Sequence, residues 1–250
     1  MFCKPQSAFT ICLALLLSPS LLTVMAHGGN AIIPAAEKEE LIPAVSRSLA
    51  LKDQTHVLYE RLDLENSGLG LDAFSYALSG YLNLLEKGKL QNPNTLTICD
   101  FSQSSKKKRL YIIDLKEMKI LWNTYVAHGR KSGGEFAQSF SNAPKSHKSS
   151  LGFYITEQTY YGSHGLSLRI NGLEKGINDM ARARNIVIHG SDYVGDDFLE
   201  NNPFTGRSFG CPAIPDEETT AIINTIKDGS CLFIYHPTKQ YLTVSKILKS

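Results

Sequence analysis

One stretch of this 250-residue chain constrains its fold and chemistry more than any other, and it runs from residue 185 to residue 215. It begins with the β-branched run 186–188, which predicts a buried strand, and His189-Gly190 follows directly. A polar loop then returns Cys211 between a glycine and a proline. A cysteine nucleophile requires a base held close to a loop thiol. We therefore predict Cys211 as a nucleophile and His189 as its base.

The distribution of cysteines points to the same residue. Cys99 and Cys231 lie in apolar, strand-like runs, where cysteine usually behaves as a small buried hydrophobe. Only Cys211 lies in a glycine-flanked loop. Three cysteines lie beyond residue 26, and an odd number of cysteines in an exported protein indicates a free thiol. Because a histidine partner lowers a thiol pKa, we expect the pKa of Cys211 to be depressed. The sequence leaves open whether Cys99 and Cys231 form a disulfide.

The first 26 residues predict a signal peptide. Lys4 is their only charge, residues 8–17 are almost wholly apolar, and Val24-Met25-Ala26 resembles a cleavage site. Pro19 interrupts the run too early for a typical membrane span, although an uncleaved anchor remains the alternative. We expect a protein of the periplasm or cell envelope, or a secreted one, with membrane contact only if the segment stays uncleaved.

The charge balance gives no electrostatic reason to expect a nucleic-acid partner. Removing residues 1–26 takes away one of the 26 basic residues and none of the 24 acidic ones, so the remainder is almost neutral. A basic run at 106–109 is typical of a solvated turn before a strand.

The periodicity predicts a mainly β catalytic domain, residues 96–250, after a leader and helical N-terminal segment, residues 27–95. The clearest helix has apolar residues at helical spacing from Phe74 to Leu85, with Asp72 as N-cap and Gly88 at its end. A shorter helix precedes it near residues 56–64, and a weaker one is expected at 173–184. Strands are predicted at 96–100, 110–115, 120–126, 152–156, 166–170, 186–188, 231–235 and 240–247, and a helix over 216–228.

Metal binding is the main rival to thiol chemistry. Four histidines, at positions 128, 147, 164 and 189, fall in loops or at strand ends, and acidic residues follow His189. However, no HExxH or similar pair lies on a predicted helix, and the acidic cluster resembles a solvated loop. We therefore predict no metal site.

The spacing of His189-Gly190 and Ser208-x-Gly210-Cys211 resembles that of the exported L,D-transpeptidases of bacterial cell walls, which have a YkuD-type catalytic domain. The pattern Ser-aromatic-Gly-Cys-Pro-Ala resembles a divergent branch with an N-terminal helical segment. Phe209 stands where many members have a histidine, and Ala213 where many have an arginine.

The resemblance implies a β-sandwich or barrel with short helices, and a two-step acyl transfer on peptidoglycan stem peptides. A thioester would form on Cys211, and a neighbouring stem amine would resolve it into a 3–3 crosslink. The Gly190 carbonyl would orient His189, and the N–H groups of Gly210 and Cys211 would bind the oxyanion. No metal or organic cofactor is implied.

The missing arginine leaves the substrate carboxylate without an assigned partner. We expect the substrate-binding residues to come from Ser208, Arg207, Arg184, Arg169 and His164. Two alternatives to transpeptidation remain open: an L,D-carboxypeptidase, in which water replaces the amine, and a catalytically silent wall-binding module.

Overall fold

The computed structural model describes residues 52–249. The predicted signal peptide and the first half of the predicted leader lie outside these residues. Helices are α1 (residues 52–61), α2 (Leu71–Glu86), α3 (Asp196–Asn201), α4 (Thr219–Ile226) and α5 (Lys239–Val244). Strands are β1 (Thr95–Asp100), β2 (Leu110–Asp114), β3 (Lys119–Thr124), β4 (Gly152–Gly162), β5 (Gly165–Gly172), β6 (Val187–Ser191), β7 (Ala213–Pro215) and β8 (Cys231–Tyr235).

The strands form one sheet in the order β3-β2-β1-β8-β4-β5-β6-β7. The pairs β1–β8 and β6–β7 are parallel, and the other pairs are antiparallel. Beyond β3, Ala127 forms a bridge with Ala213 of β7, so the chain links the two ends of the sheet. The sheet is therefore nearly closed and barrel-like, and the predicted mainly β class is confirmed.

Helix α2 packs against the sheet through a glycine. Gly80 lies in the middle of α2, where glycine costs about 1 kcal/mol relative to alanine. A Cβ at this position would overlap the ring of Phe153, which stacks on Phe233 with ring centroids 4.2 Å apart. The glycine thus permits close packing of the helix on the aromatic core. Gly88 lies just beyond this helix with a φ of 61°, and Asp72 is in the first turn rather than at the N-cap, Gly70.

The predicted helix at 173–184 is wrong, because residues 175–185 form turns. Buried Asn178 donates to the carbonyls of Leu151 and Phe153 and accepts from the N–H of Glu174. Such side-chain bonds to the backbone compete with a helical ladder. Gly176 also has a φ of 79° and interrupts the helical conformation.

The predicted strand at 240–247 is also wrong, because this segment contains α5. Thr238 accepts a hydrogen bond from the N–H of Tyr241 and caps the helix. Tyr241 and Ser245 both donate to the buried carboxylate of Glu174. Residues four apart are about 6 Å apart along a helix and about 13 Å apart along a strand, so only the helix lets both reach one carboxylate.

A buried guanidinium secures the segment between β3 and the site. Arg109 is fully buried, donates to the carbonyls of Val126 and Gln103, and lies 2.8 Å from His128 Nδ1 through Nη2. Because a guanidinium only donates, Nδ1 accepts and His128 is neutral. Burial, followed by the Arg109 charge, lowers the pKa of His128 to about 3.

This pKa predicts loss of stability in acid. The unfolded state has the ordinary histidine pKa near 6.5 and therefore binds more protons than the folded state between about pH 6.5 and pH 3. The free energy of unfolding should fall as pH drops through that window. His128→Gln keeps an acceptor for Arg109 without titrating, so urea unfolding at several pH values should show a shallower decline. Exposed His56→Gln is the control, and equal slopes in wild type and His128→Gln would refute this account.

Candidate active site

Strand β6 holds His189 rigidly between two neighbours. His189 lies opposite Ser167 of β5 and Ala213 of β7, and only 3% of its surface is exposed. Ile188 packs in the main core, so the alternation of a strand directs Val187 and His189 to the other face of the sheet. The imidazole therefore has a fixed position outside the main core.

The His189 ring is oriented by its own strand. Its Nδ1 lies 2.8 Å from the carbonyl oxygen of Gly190. A carbonyl only accepts, so Nδ1 carries the proton and Nε2 of the neutral ring keeps its lone pair. The ring of His164, from the β4–β5 turn, stacks on it with centroids 4.3 Å apart. Burial is the main reason that the pKa of His189 is lowered, and His164 contributes in the same direction, so His189 is neutral and basic at neutral pH.

Cys211 lies in a tight turn that leads into β7. The Ser208 hydroxyl accepts from the Gly210 N–H at 3.0 Å and donates to the Cys211 carbonyl at 2.6 Å. Gly210 has a φ of 128°, and a Cβ there would lie 2.8 Å from the Lys148 carbonyl oxygen. The glycine is thus required on both conformational and steric grounds. Ser208, expected to bind substrate, holds this turn in shape.

The thiol of Cys211 has backbone partners in the resting site. Its Sγ accepts from the Val187 N–H at 3.5 Å and donates to the Asn185 carbonyl at 3.6 Å. The residue is partly exposed, yet burial around the sulfur raises the thiol pKa above its ordinary value, while the Val187 N–H and the Arg184 charge lower it. The expected depressed pKa is therefore wrong for this arrangement. The cause is burial of the sulfur, which a loop position in sequence does not reveal.

One of the two N–H groups expected at the oxyanion site already has a partner within the turn. The N–H of Gly210 already donates to Ser208 Oγ, so an oxyanion would have to displace that bond.

The described cysteines, Cys99, Cys211 and Cys231, are all free thiols, and burial raises the pKa of Cys99 to about 12. Cys99 and Cys231 are fully buried, so Cys211 is the accessible thiol of the described chain.

The three arginines expected to meet a substrate carboxylate have different surroundings. Arg184 hydrogen-bonds to the loop 141–150 through both terminal nitrogens. Arg207 donates to the Gly133 carbonyl and stacks over Phe204. Arg169 is opposite Val187 in the β5–β6 pair and therefore on the same face as His189, with its guanidinium 4.3 Å from the Tyr160 ring centroid. Arg169 is thus the best placed of the three for a ligand at the His189 face.

Sequence reasoning missed a fourth arginine near Cys211. Arg130 lies 4.6 Å from the ring centroid of Phe209, which is 61% exposed and two residues from Cys211. His147 packs on the same ring, with centroids 4.6 Å apart. Both residues come from the glycine- and serine-rich loop between β3 and β4, and no spacing pattern links them to the cysteine. Phe209, the aromatic residue before Gly210, was the one feature of the sequence that indicated a packing site for these two side chains.

A polar cavity of about 420 Å³ adjoins the end of β6. Gly190 and Ser191 line one side, and Asp192 and Asp216 add two carboxylates. His164 also lines the cavity, and its ring stacks on that of His189. The cavity therefore lies next to the basic imidazole of His189. Within residues 52–249, no group of three or more His, Cys, Asp or Glu side chains is arranged to hold a metal ion.

Comparison with known families gives the class of the chain. A family profile described as L,D-transpeptidase catalytic domain matches residues 65–235, which include α2 and all eight strands. This match covers well over half of the chain, which therefore belongs to that family. No curated protein sequence gives a significant match.

Solved structures give weak overall likenesses. An L,D-transpeptidase from Mycobacterium smegmatis has 8% identity and a TM-score of 0.36, with 57% of this chain and 59% of that chain covered. An L,D-transpeptidase from Mycobacterium tuberculosis has 12% identity and a TM-score of 0.34, with 57% of this chain and 58% of that chain covered. The helical cell shape determining protein of Campylobacter jejuni has 14% identity and a TM-score of 0.37, with 64% of this chain and 57% of that chain covered. The chain thus spans less than two thirds of each, and the family assignment rests on the profile. In the part of the chain that the structure describes, no helix has the length and apolar character needed to cross a membrane.

The stacked histidines yield a prediction. His164 helps to bury His189 and repels its charged form, and both effects lower the pKa of His189. His164→Gln removes the stacked ring and its charge, so the pKa of His189 should rise, as measured by NMR titration of its ring protons. His147→Gln, in a histidine that packs on Phe209 instead, is the matched control. An unchanged or lowered His189 pKa in His164→Gln would contradict the stacking account.

Proposed function

We propose that this chain is an exported cysteine acyltransferase that forms a thioester on Cys211 with peptidoglycan stem peptides. The observation that carries the proposal is the pairing of β6 with β7. It sets Cys211 Sγ against Val187, two residues along the strand from a neutral, backbone-oriented His189. An accessible thiol in the turn before β7 and a basic imidazole on the paired strand β6 are the groups that nucleophilic acyl transfer needs.

The first half-reaction breaks one amide bond and forms one thioester. The Sγ proton, now directed at the Asn185 carbonyl, passes to Nε2 of His189 as the sulfur attacks the amide carbon before the terminal D-Ala. Backbone N–H groups of the Cys211 turn stabilise the tetrahedral oxyanion. His189 then gives the proton to the departing D-Ala nitrogen. The acyl group remains on Cys211 as a thioester, and His189 is neutral again.

The second half-reaction restores the thiol. His189 takes a proton from the neutral acceptor amine as the amine nitrogen attacks the thioester carbon. The leaving thiolate then takes that proton back from His189, so both groups regain their starting states. Water in place of the amine would give an L,D-carboxypeptidase. The cavity beside His189 favours an amine, because Asp192 and Asp216 attract a protonated amino group, which loses one proton to water before it attacks. A silent wall-binding module is the less favoured alternative, since it has no need of an accessible thiol beside a neutral imidazole.

Export and chain organisation complete the proposal. Residues 1–26 act as a signal peptide, residues 27–95 form a leader and helical N-terminal segment, and residues 96–250 form the catalytic domain. The protein then works in the periplasm or cell envelope, or outside the cell. Amino-terminal sequencing of the mature protein tests this proposal, which requires a start at His27.

Removal of either reactive group should abolish turnover. We expect Cys211→Ala and His189→Ala each to lower the rate of D-Ala release from disaccharide tetrapeptide by at least about 1000-fold, as for other nucleophile–base pairs. Cys231→Ala removes a buried thiol and should retain activity. Chromatography of the products distinguishes crosslinked dimers from hydrolysed tripeptide. Normal D-Ala release by a folded Cys211→Ala protein would refute the enzyme proposal.

The two arginines near the site should act mainly on substrate binding. If Arg130 or Arg169 contacts the stem-peptide carboxylate, its replacement by alanine should raise KM about tenfold with less change in kcat, because the contact is present before the chemical step. Exposed Arg182, which pairs with Glu157, is the matched control. Steady-state kinetics provide the measurement. Wild-type KM in both site variants would mean that neither arginine binds the carboxylate.

A further inference from the structure

Arg184 has no carboxylate partner although it is half-buried. Its Nη1 donates to the Ser141 carbonyl and Ser150 Oγ, both at 2.8 Å. Its Nη2 donates to Ser146 Oγ at 3.2 Å and to the Lys148 carbonyl at 2.6 Å. All four acceptors are neutral. The terminal nitrogens are thus occupied by the loop 141–150, and the positive charge is left uncompensated.

The ion pairs of the described residues leave Arg184 out. They join His56 to Glu60, Lys106 to Glu135 and Arg182 to Glu157. A half-buried charge without a counter-charge interacts strongly with whatever ionisable group lies beside it, because little water screens the interaction.

The group beside Arg184 is the nucleophile turn. A Cβ on Gly210 would lie only 3.2 Å from Arg184 Nη2, so the guanidinium packs directly against the residue that precedes Cys211. Burial raises the pKa of the Cys211 thiol, and the Arg184 charge acts against that rise. Burial lowers the pKa of Arg184, and Tyr154 and then Cys211 act against that decrease. The Arg184 side chain also fixes the loop that packs on Gly210.

We propose that Arg184 is a positioning and electrostatic residue that stabilises the thiolate of Cys211 while it clamps the loop 141–150 onto the nucleophile turn. This inference rests on Cys211 being the nucleophile. It removes Arg184 from the set of substrate-binding candidates, because each terminal nitrogen already has two acceptors. It also gives the Cys211 thiol a fixed counter-charge that is present before any substrate binds, in addition to the proton transfer to His189.

Other ionisable groups face the same turn and must be separated from Arg184 in any pH experiment. Tyr193 interacts with Cys211 from the loop after β6, His189 lies on the neighbouring strand, and Arg130 and His147 pack on Phe209. Lys148 lies close through its carbonyl, while its Nζ donates to Ser139 Oγ.

The test is the pH dependence of Cys211 alkylation by iodoacetamide, followed by peptide mapping in the full chain. Arg184→Gln should move the midpoint up by about one pH unit, a typical size for loss of a nearby opposite charge. At a fixed pH below both midpoints, labelling would then be about tenfold slower. Arg184→Lys keeps the charge and should shift less. Arg182→Gln removes an exposed arginine from the same turn and should leave the midpoint unchanged. A folded Arg184→Gln protein with the wild-type midpoint would overturn the proposal.

A second pair of variants decides the matter if Arg184→Gln does not fold. Ser146→Asp would place a carboxylate on Nη2 of Arg184 and neutralise its charge, whereas Ser146→Asn is matched in size and neutral. The midpoint should rise in Ser146→Asp alone, and equal midpoints in the two variants would overturn the proposal. Because alkylation needs no peptidoglycan, the two failures can be distinguished. A failed acyl-transfer assay with an intact Arg184 effect would refute the proposed function, whereas acyl transfer with no Arg184 effect on alkylation would refute this inference.

Discussion

The short parallel pairing of β6 with β7 is the constraint on which the site depends. A parallel pair cannot be joined by a hairpin, so the chain leaves β6 after Ser191, passes through α3, and returns to β7 at Ala213. The register places His189 beside Ala213, and Cys211 two residues earlier against Val187. A slip of one residue would turn His189 towards the core. The relation between thiol and imidazole is therefore a property of strand register.

Two guanidiniums keep that register by tying loops to carbonyl groups. Arg109 holds the segment at Val126 and His128, whose neighbour Ala127 bridges Ala213, while the His128 carbonyl accepts from Ser208. Arg184 holds the loop 141–150 against Gly210. Neither is in an ion pair within residues 52–249. Burying a charge is costly unless its hydrogen bonds are satisfied, which here requires several correctly placed carbonyl and hydroxyl oxygens. The loops beside Cys211 are thus ordered by hydrogen bonds to arginines.

What could be predicted from the sequence was local or periodic. The strand before His189, the turn around Gly210 and the mainly β class follow from short patterns of β-branched residues and glycines. The C-terminal helix was mistaken for a strand because Tyr241 and Ser245 reach Glu174, a partner about 70 residues away that no local pattern reveals. Arg130 and the thiol environment were missed for the same reason. Which groups surround a sulfur depends on tertiary packing, and burial reversed the expected direction of the Cys211 pKa.

The central claim, a thioester on Cys211, can be tested by trapping the intermediate. Wild-type protein mixed with disaccharide tetrapeptide, quenched in acid within the first turnover and digested, should show one mass adduct. The account predicts that the adduct equals the substrate less D-Ala, is located on the peptide containing Cys211, is released by hydroxylamine, and forms in step with a burst of one D-Ala per protein. An adduct on another residue, or D-Ala release without any covalent intermediate, would contradict it.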